Sequence, residues 1–296
     1  MKVIKIFFQL LVLLSIGSLL LIECNIIWLP PKKYEPKDNV NLQPPVMSLD
    51  VYTSSGLIDT HPRPYIYTIQ SKSGKGAVLV FGLEHTFDPG DKQLPAMKEH
   101  WDKFNPTVAM VEGNLDLILT WLFDPVKASG EGGYTQKLAK KKGIKIYSWE
   151  AGRYAEIDHV LGKFDPKHVA LFYCLRPYHN KWGDLSKSKQ DEKMKGLINK
   201  RTNYKTLKGS VTSVAQFDSI WKADYPNEVS WRNYKHPRNG WPAGILGNIA
   251  QEGNAIRNIN LCNSIIELVN KGERVFVSMG SSHAVVIDKT LKGMIK

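Results

Sequence analysis

The run AVLVFG at 77–82 is uniformly apolar and β-rich, which marks a buried strand. A strand of that kind belongs in a sheet covered by helices, and the chain after it has the matching rhythm. A helical stretch over about 92–104 leads to the breaker Asn105-Pro106, then to a short apolar run over 107–111 that ends in Glu112. A helix carrying KLAKKK stops at Gly143, which suits the left-handed position just past a helix end. The next strand is expected over 144–149, ending in Glu150. A long helix over about 245–270 carries Ile256, Ile259, Ile266 and Val269 at helical spacing, and a last strand over 273–279 runs into Gly280 and His283. Tyr65 opens a β-rich run over 65–69, joined to the buried strand by the turn-like SKSGKG. The expected fold is α/β: a mostly parallel sheet with right-handed crossovers and flanking helices.

Between about 151 and 242 this rhythm is replaced by a helix-rich, polar stretch, read as a middle insertion. Asp165-Pro166 caps and starts one helix, and 186–200 and 211–223 have amphipathic patterns. Trp182, Trp221, Trp231 and Trp241 are expected to pack this part on the sheet, with a substrate groove as the alternative. Hydrophobic residues at 43% and charged residues at 23% exclude a disordered, collagen-like or multi-span membrane chain. Three cysteines exclude a disulfide-stapled scaffold. A Cys174–Cys262 disulfide and two buried free thiols both remain open.

Residues 6–22 are almost wholly apolar and follow Lys2 and Lys5. About 17 residues at ~1.5 Å each reach ~25 Å, the short end of a membrane span. No small-x-small cleavage site follows, and Glu23 before Cys24 makes a poor lipidation site, so 1–29 reads as an uncleaved signal anchor with the globular part, 47–296, outside the cytoplasm. The proline-rich stretch 30–46 reads as a tether. The net charge of +12 is spread over helix-like segments without zinc-finger spacing, an aromatic RNA-binding signature or a basic arm. Nucleic acid is therefore not an expected partner, and an anionic lipid surface fits the charge better.

Two tetrapeptides have glycine three residues before histidine, Gly82 to His85 and Gly280 to His283. With 23 Gly and 8 His, composition alone yields about 0.6 such cases, so position is what makes them informative. Each begins as a β-run ends, at the carboxyl edge where open α/β sheets place their sites. Glu112 ends a neighbouring run. Two imidazoles and a carboxylate form a three-ligand set that leaves a divalent cation open positions, and such a cation acidifies water enough to attack a carbonyl. Each residue has an ordinary alternative: hydrogen-bonded histidines at strand ends, and a helix N-terminal charge for Glu112. Glu150 and Glu84 are spare carboxylates, general base or merely solvated. Asp88 orients an imidazole or caps the next helix.

The paired Gly-x-x-His motifs, the strand ending Val-Glu-Gly, and Arg257-Asn258 in a long helix before the final strand together resemble the TraB/GumN family. That family includes the Tiki membrane-tethered proteases, and its wider group takes in erythromycin-esterase-like and ChaN-like proteins. The resemblance covers about residues 60–290, with Leu83 standing where a small hydroxyl residue often follows the glycine and Glu84 beside the histidine. It implies a metal-dependent hydrolase, most readily a peptidase acting on a peptide or protein at the cell surface, with Mn, Co or Zn held by His85, Glu112 and His283. Arg257 matches a basic position that clamps a substrate carboxylate or supports an oxyanion, or else forms a salt bridge to the sheet edge. On this reading Arg257→Ala keeps the metal and loses turnover. The alternative function is a non-catalytic surface protein that binds a peptide signal, haem or a metal with the same ligands.

Overall fold

The structure is a computed structural model that describes residues 20–37, 46–178, 182–234, 241–242 and 244–295. The chain divides into two compact units. One comprises Met1–Met47, Ser54–Ala151 and Arg257–Lys296, and the other Ser48–Thr53 and Gly152–Ile256.

The first unit carries the sheet. Its strands are β1 (Ile27–Trp28), β2 (Lys32–Lys33), β3 (Tyr65–Gln70), β4 (Ala77–Leu83), β5 (Val108–Val111), β6 (Ile118–Leu119), β7 (Lys145–Ser148) and β8 (Arg274–Gly280). Six of them form one sheet in the order β2-β7-β5-β8-β4-β3, all parallel except the β3–β4 hairpin. Every residue of β4 and β5 is buried, as an apolar run covered on both faces requires. Phe81, Phe276, Met97, Trp101 and Leu138 share one cluster that ties the helices Gln93–Phe104 and Pro125–Lys142 to the sheet. Local signals set the boundaries. Asn105 ends the first of these helices at φ 52°, and Gly143 ends the second at φ 72°, donating its N–H to Ala139 and Lys140 carbonyls.

Two expectations need correction. Part of the stretch read as a tether joins the sheet: Lys32–Lys33 pair in parallel with Tyr147 and Ser148 as edge strand β2. The Tyr34 hydroxyl then donates to Glu267 Oε1 at 2.8 Å, and the Lys37 N–H to Glu267 Oε2 at 2.8 Å. The prolines flank the pairing residues instead of interrupting them, and lysines on an edge strand discourage further pairing. Residues 38–45 lie outside the described residues. So do residues 1–19, on which most of the expected anchor falls, while its last residues form β1, antiparallel to β6. Among the described residues no helix is long and apolar enough to cross a membrane.

The second correction concerns the tryptophans. The second unit is helical, with Arg153–Leu161, Pro166–Tyr178, Lys187–Arg201, Val214–Asp224 and the start of Ile245–Asn270. Trp231 is fully buried, edge-on to Tyr178 at 5.0 Å and Phe217 at 5.3 Å. Trp221 packs on Tyr225, Trp241 on Phe172 and Trp182 on Tyr178. These rings build the unit's own core.

All three cysteines are free, Cys24 exposed and Cys174 and Cys262 buried. Burial pushes both inner thiols up to about 12. A thiol reagent at neutral pH is expected to modify Cys24 alone in the native protein and all three after denaturation. Equal rates at all three sites in the native protein would contradict the burial.

Candidate functional site

The carboxyl ends of four parallel strands deliver the chemistry. His85 lies two residues past β4, Glu112 one past β5, and Glu150 two past β7. His283 sits in the first turn of the helix Ser281–Met294, which starts where β8 stops. Sheet register sets these neighbours: β8 lies between β4 and β5, so the loops bearing His85 and Glu112 flank Gly280.

Glu112 is the hub. Its Oε2 accepts the Gly280 N–H at 2.7 Å and lies 4.0 Å from His85 Nε2, while its Oε1 lies 3.5 Å from His283 Nε2. Each imidazole is fixed from behind. His85 Nδ1 is 2.6 Å from Glu131 Oε1, and His283 Nδ1 is 2.6 Å from Asn258 Oδ1. Both partners are acceptors, so each Nδ1 is the donor and each Nε2 faces Glu112. The hydrogen bond to Glu131 pushes His85 up to about 9, with Glu112 adding to it. Burial takes His283 down to about 4. Burial also opposes ionisation of Glu112, yet positive charge from His283 and Arg257 and the Gly280 N–H bring it to about 2. In the acid range where Glu112 would take up a proton, His283 is itself charged. At neutral pH the hub is a carboxylate beside a neutral His283.

Arg257 meets the salt-bridge alternative. Its Nε and Nη2 grip Glu150 at 2.7 and 2.6 Å, Nη2 reaches Glu112 Oε1 at 3.2 Å, and Nη1 is 3.4 Å from His283 Nε2. Glu150 also accepts the Gly113 N–H at 3.0 Å, and despite burial its carboxyl is held below the usual range by Arg257. Glu150 therefore serves to hold Arg257, and a carboxylate so committed is a poor general base. Glu84 points elsewhere, to Arg63 at 2.7 Å and the Ser281 hydroxyl at 3.2 Å, with its side chain 58% exposed. Asp88 accepts the Gly90 N–H and shapes its own loop, leaving Glu131 as the residue that orients His85.

The two motif glycines act by leaving space, and neither adopts a left-handed turn. A Cβ on Gly280 would stand 3.0 Å from His85 Nε2 and 3.5 Å from Glu112 Oε2, in the opening between the two donors. A Cβ on Gly82 would meet Ala284 Cβ at 2.5 Å, so that glycine lets the helix Ser281–Met294 lie close on the sheet.

Glu131 was invisible to strand-end reasoning because it lies in a helix. The signal was the glycine cluster around it. Gly130 interrupts the helix at φ 59°, and a Cβ there would come within 2.9 Å of Thr86 O. That close approach brings Glu131 to the His85 loop, where Oε2 also accepts the Thr86 N–H at 3.3 Å.

No protein-family model, curated protein or solved structure matches the chain.

Among the described residues no three His, Cys, Asp or Glu side chains stand where they could hold a metal ion as placed. The Arg257 guanidinium supplies the positive charge at Glu112 instead. The donors still suit a divalent cation in kind: two oriented Nε2 atoms, one ionised carboxylate, and the opening that Gly280 keeps. Ligands about 2.1 Å from a tetrahedral ion lie ~3.4 Å apart. The pair His283 Nε2 and Glu112 Oε1 has that spacing at 3.5 Å, and His85, at 4.0 Å from Oε2 with a side chain 59% exposed, has room to close. Glu131→Ala is expected to weaken divalent-metal affinity about 10–100-fold, as loss of a ligand's outer partner does. Titration calorimetry checks this, and an unchanged affinity would separate Glu131 from the site.

Proposed function

We propose that the chain is a membrane-anchored, metal-dependent hydrolase, a peptidase acting on a peptide or protein at the cell surface. The observation that carries this reading is the convergence of His85 Nε2 and His283 Nε2 on Glu112 beside a glycine whose side chain would close the opening. His85, Glu112 and His283 would hold the cation, which when bound supplies Lewis acidity toward a carbonyl oxygen and toward water. Glu131 and Asn258 accept from Nδ1 of the two rings and so turn each Nε2 toward Glu112. Arg257, clamped by Glu150, presents fixed positive charge at the edge of the opening and supports developing negative charge there. Glu84, exposed next to His85 in the chain and paired with Arg63 instead of Arg257, is the carboxylate assigned to move a proton.

Glu150's commitment to Arg257 equally suits the second reading, a surface protein that uses the same ligands to bind a peptide signal, haem or a metal without turnover. One experiment separates the two: the purified full chain incubated with a peptide library, with Mn, Co or Zn and with a chelator. Metal-dependent cleavage that the chelator abolishes is the expected result. Stoichiometric metal binding without cleavage would leave the binding reading standing, and cleavage indifferent to chelator would contradict both.

A further inference from the structure

The stretch LDLILTWLF at 115–123 begins two residues beyond Gly113 and, among the described residues, gathers several exposed large apolar side chains. Leu117, Trp121, Leu122 and Phe123 are each more than half exposed. A cluster of that size in water marks an interaction surface. Its covering is indicated by what the chain attaches to it. Strand β6 inside the stretch pairs with β1, Ile27 with Leu119 and Trp28 with Ile118, and Thr120 donates its N–H to Ile26 O at 3.1 Å. Those β1 residues directly continue the apolar N-terminal sequence, whose 6–22 run lies mostly outside the described residues. Strand β1, which follows that run in the chain, is thus hydrogen-bonded to the exposed apolar stretch.

Charge adjoins the same place. Asn25, whose carbonyl accepts from the Thr120 hydroxyl at 3.3 Å, also lines a groove with Lys32, Lys140 and Lys145. Aromatic and leucine side chains next to a basic groove are the composition of a surface that lies in a bilayer interface, the rings at headgroup depth and the ammonium groups on anionic lipid.

We infer that residues 117–123 dock on the bilayer, with the lysine groove receiving anionic headgroups. The inference rests on the membrane-anchored reading and adds to it: the anchor attaches the chain, and the docked stretch fixes how the first unit sits. Because the stretch follows Glu112 so closely, docking holds the site at a set height above the lipid and favours substrates presented at the membrane surface.

The test uses the full chain in a Cys24→Ser background, reconstituted into phosphatidylcholine vesicles with and without phosphatidylglycerol. An environment-sensitive dye is placed at Trp121→Cys or Phe123→Cys and, as control, at Lys72→Cys in the exposed β3–β4 turn, on the opposite side of the sheet from β2. The dye at 121 and 123 is expected to shift to the blue and to be quenched by nitroxides on the acyl chains, more strongly with the anionic lipid, while the dye at 72 stays accessible to aqueous iodide. A dye at 121 that remains open to iodide would overturn docking. A blue-shifted dye that lipid nitroxides do not reach would also overturn it, since protein would then be the covering. Equal quenching without phosphatidylglycerol would remove the headgroup role. An alkaline carbonate wash tests the anchor separately. Protein retained with an iodide-accessible dye means the anchor stands and docking fails. Protein released after its dye had been quenched by lipid means docking stands and the anchor fails.

Discussion

Arg257→Ala is expected to destabilise the protein by about 3–5 kcal/mol, the cost of breaking a buried ion pair from one side. The Arg257 side chain is 6% exposed, and it neutralises two carboxylates that face each other across it, Glu150 at 11% and Glu112 at 17%. Without it, Glu150 retains the Gly113 N–H and Glu112 the Gly280 N–H, and like charges meet in a poorly solvated place. The family resemblance makes Arg257 a clamp for a substrate carboxylate or a support for an oxyanion, with a salt bridge as the alternative, and on that reading its loss keeps the metal and loses turnover. The bidentate grip on Glu150 changes that expectation: stability falls first, and cation affinity changes with it because Glu112 loses its fixed neighbour. Urea denaturation checks the figure, with Glu84→Ala as the contrast, since an exposed carboxylate is expected to cost within about 0.5 kcal/mol. Equal midpoints for Arg257→Ala and the parent would contradict the ion-pair account.

Gly280→Ala is expected to cost about 100-fold in turnover while leaving the fold intact, the scale of an ångström-sized misplacement of a reacting group. The backbone at Gly280, φ −58° and ψ 141°, is one that alanine adopts freely, so the sheet and the following helix have no reason to move. The new methyl would press on His85 Nε2 and Cε1 and on Glu112 Oε2. Gly82→Ala should invert the pattern. Its methyl would strike Ala284 Cβ at 2.5 Å and stand 3.1 Å from Ser281 Cα and Tyr65 O. Overpacking of that kind costs about 1–3 kcal/mol. Thermal midpoints and turnover measured on both variants separate the two roles. A Gly280→Ala protein of full activity would remove the opening from the account.

Strand ends were legible because an apolar run long enough to be a buried strand must stop where its polar residue begins. That reasoning placed His85, Glu112 and His283 at one edge of one sheet, and the strand bounds fall within a residue or two of the runs. The supporting residues carry no such mark. Glu131 lies 46 residues from His85 inside a helix, and only the glycines around it, needed for backbone approach, hint at its role. Glu150 was visible as a carboxylate at a strand end, but its bond to Arg257 depends on a helix residue 107 positions further along the chain. Strand β2 was hidden for another reason: two residues are too few for any periodicity, and the prolines beside them read as tether.

The central claim is that His85, Glu112 and His283 share one cation, and calorimetric titration of Mn, Co and Zn into the parent, the three single alanine variants and the triple variant tests it most directly. Groups that act as a unit are non-additive, so each single substitution is expected to remove nearly as much affinity as all three together. Parent protein and the His85→Ala and His283→Ala variants taking up equal amounts of metal with equal affinity would contradict it.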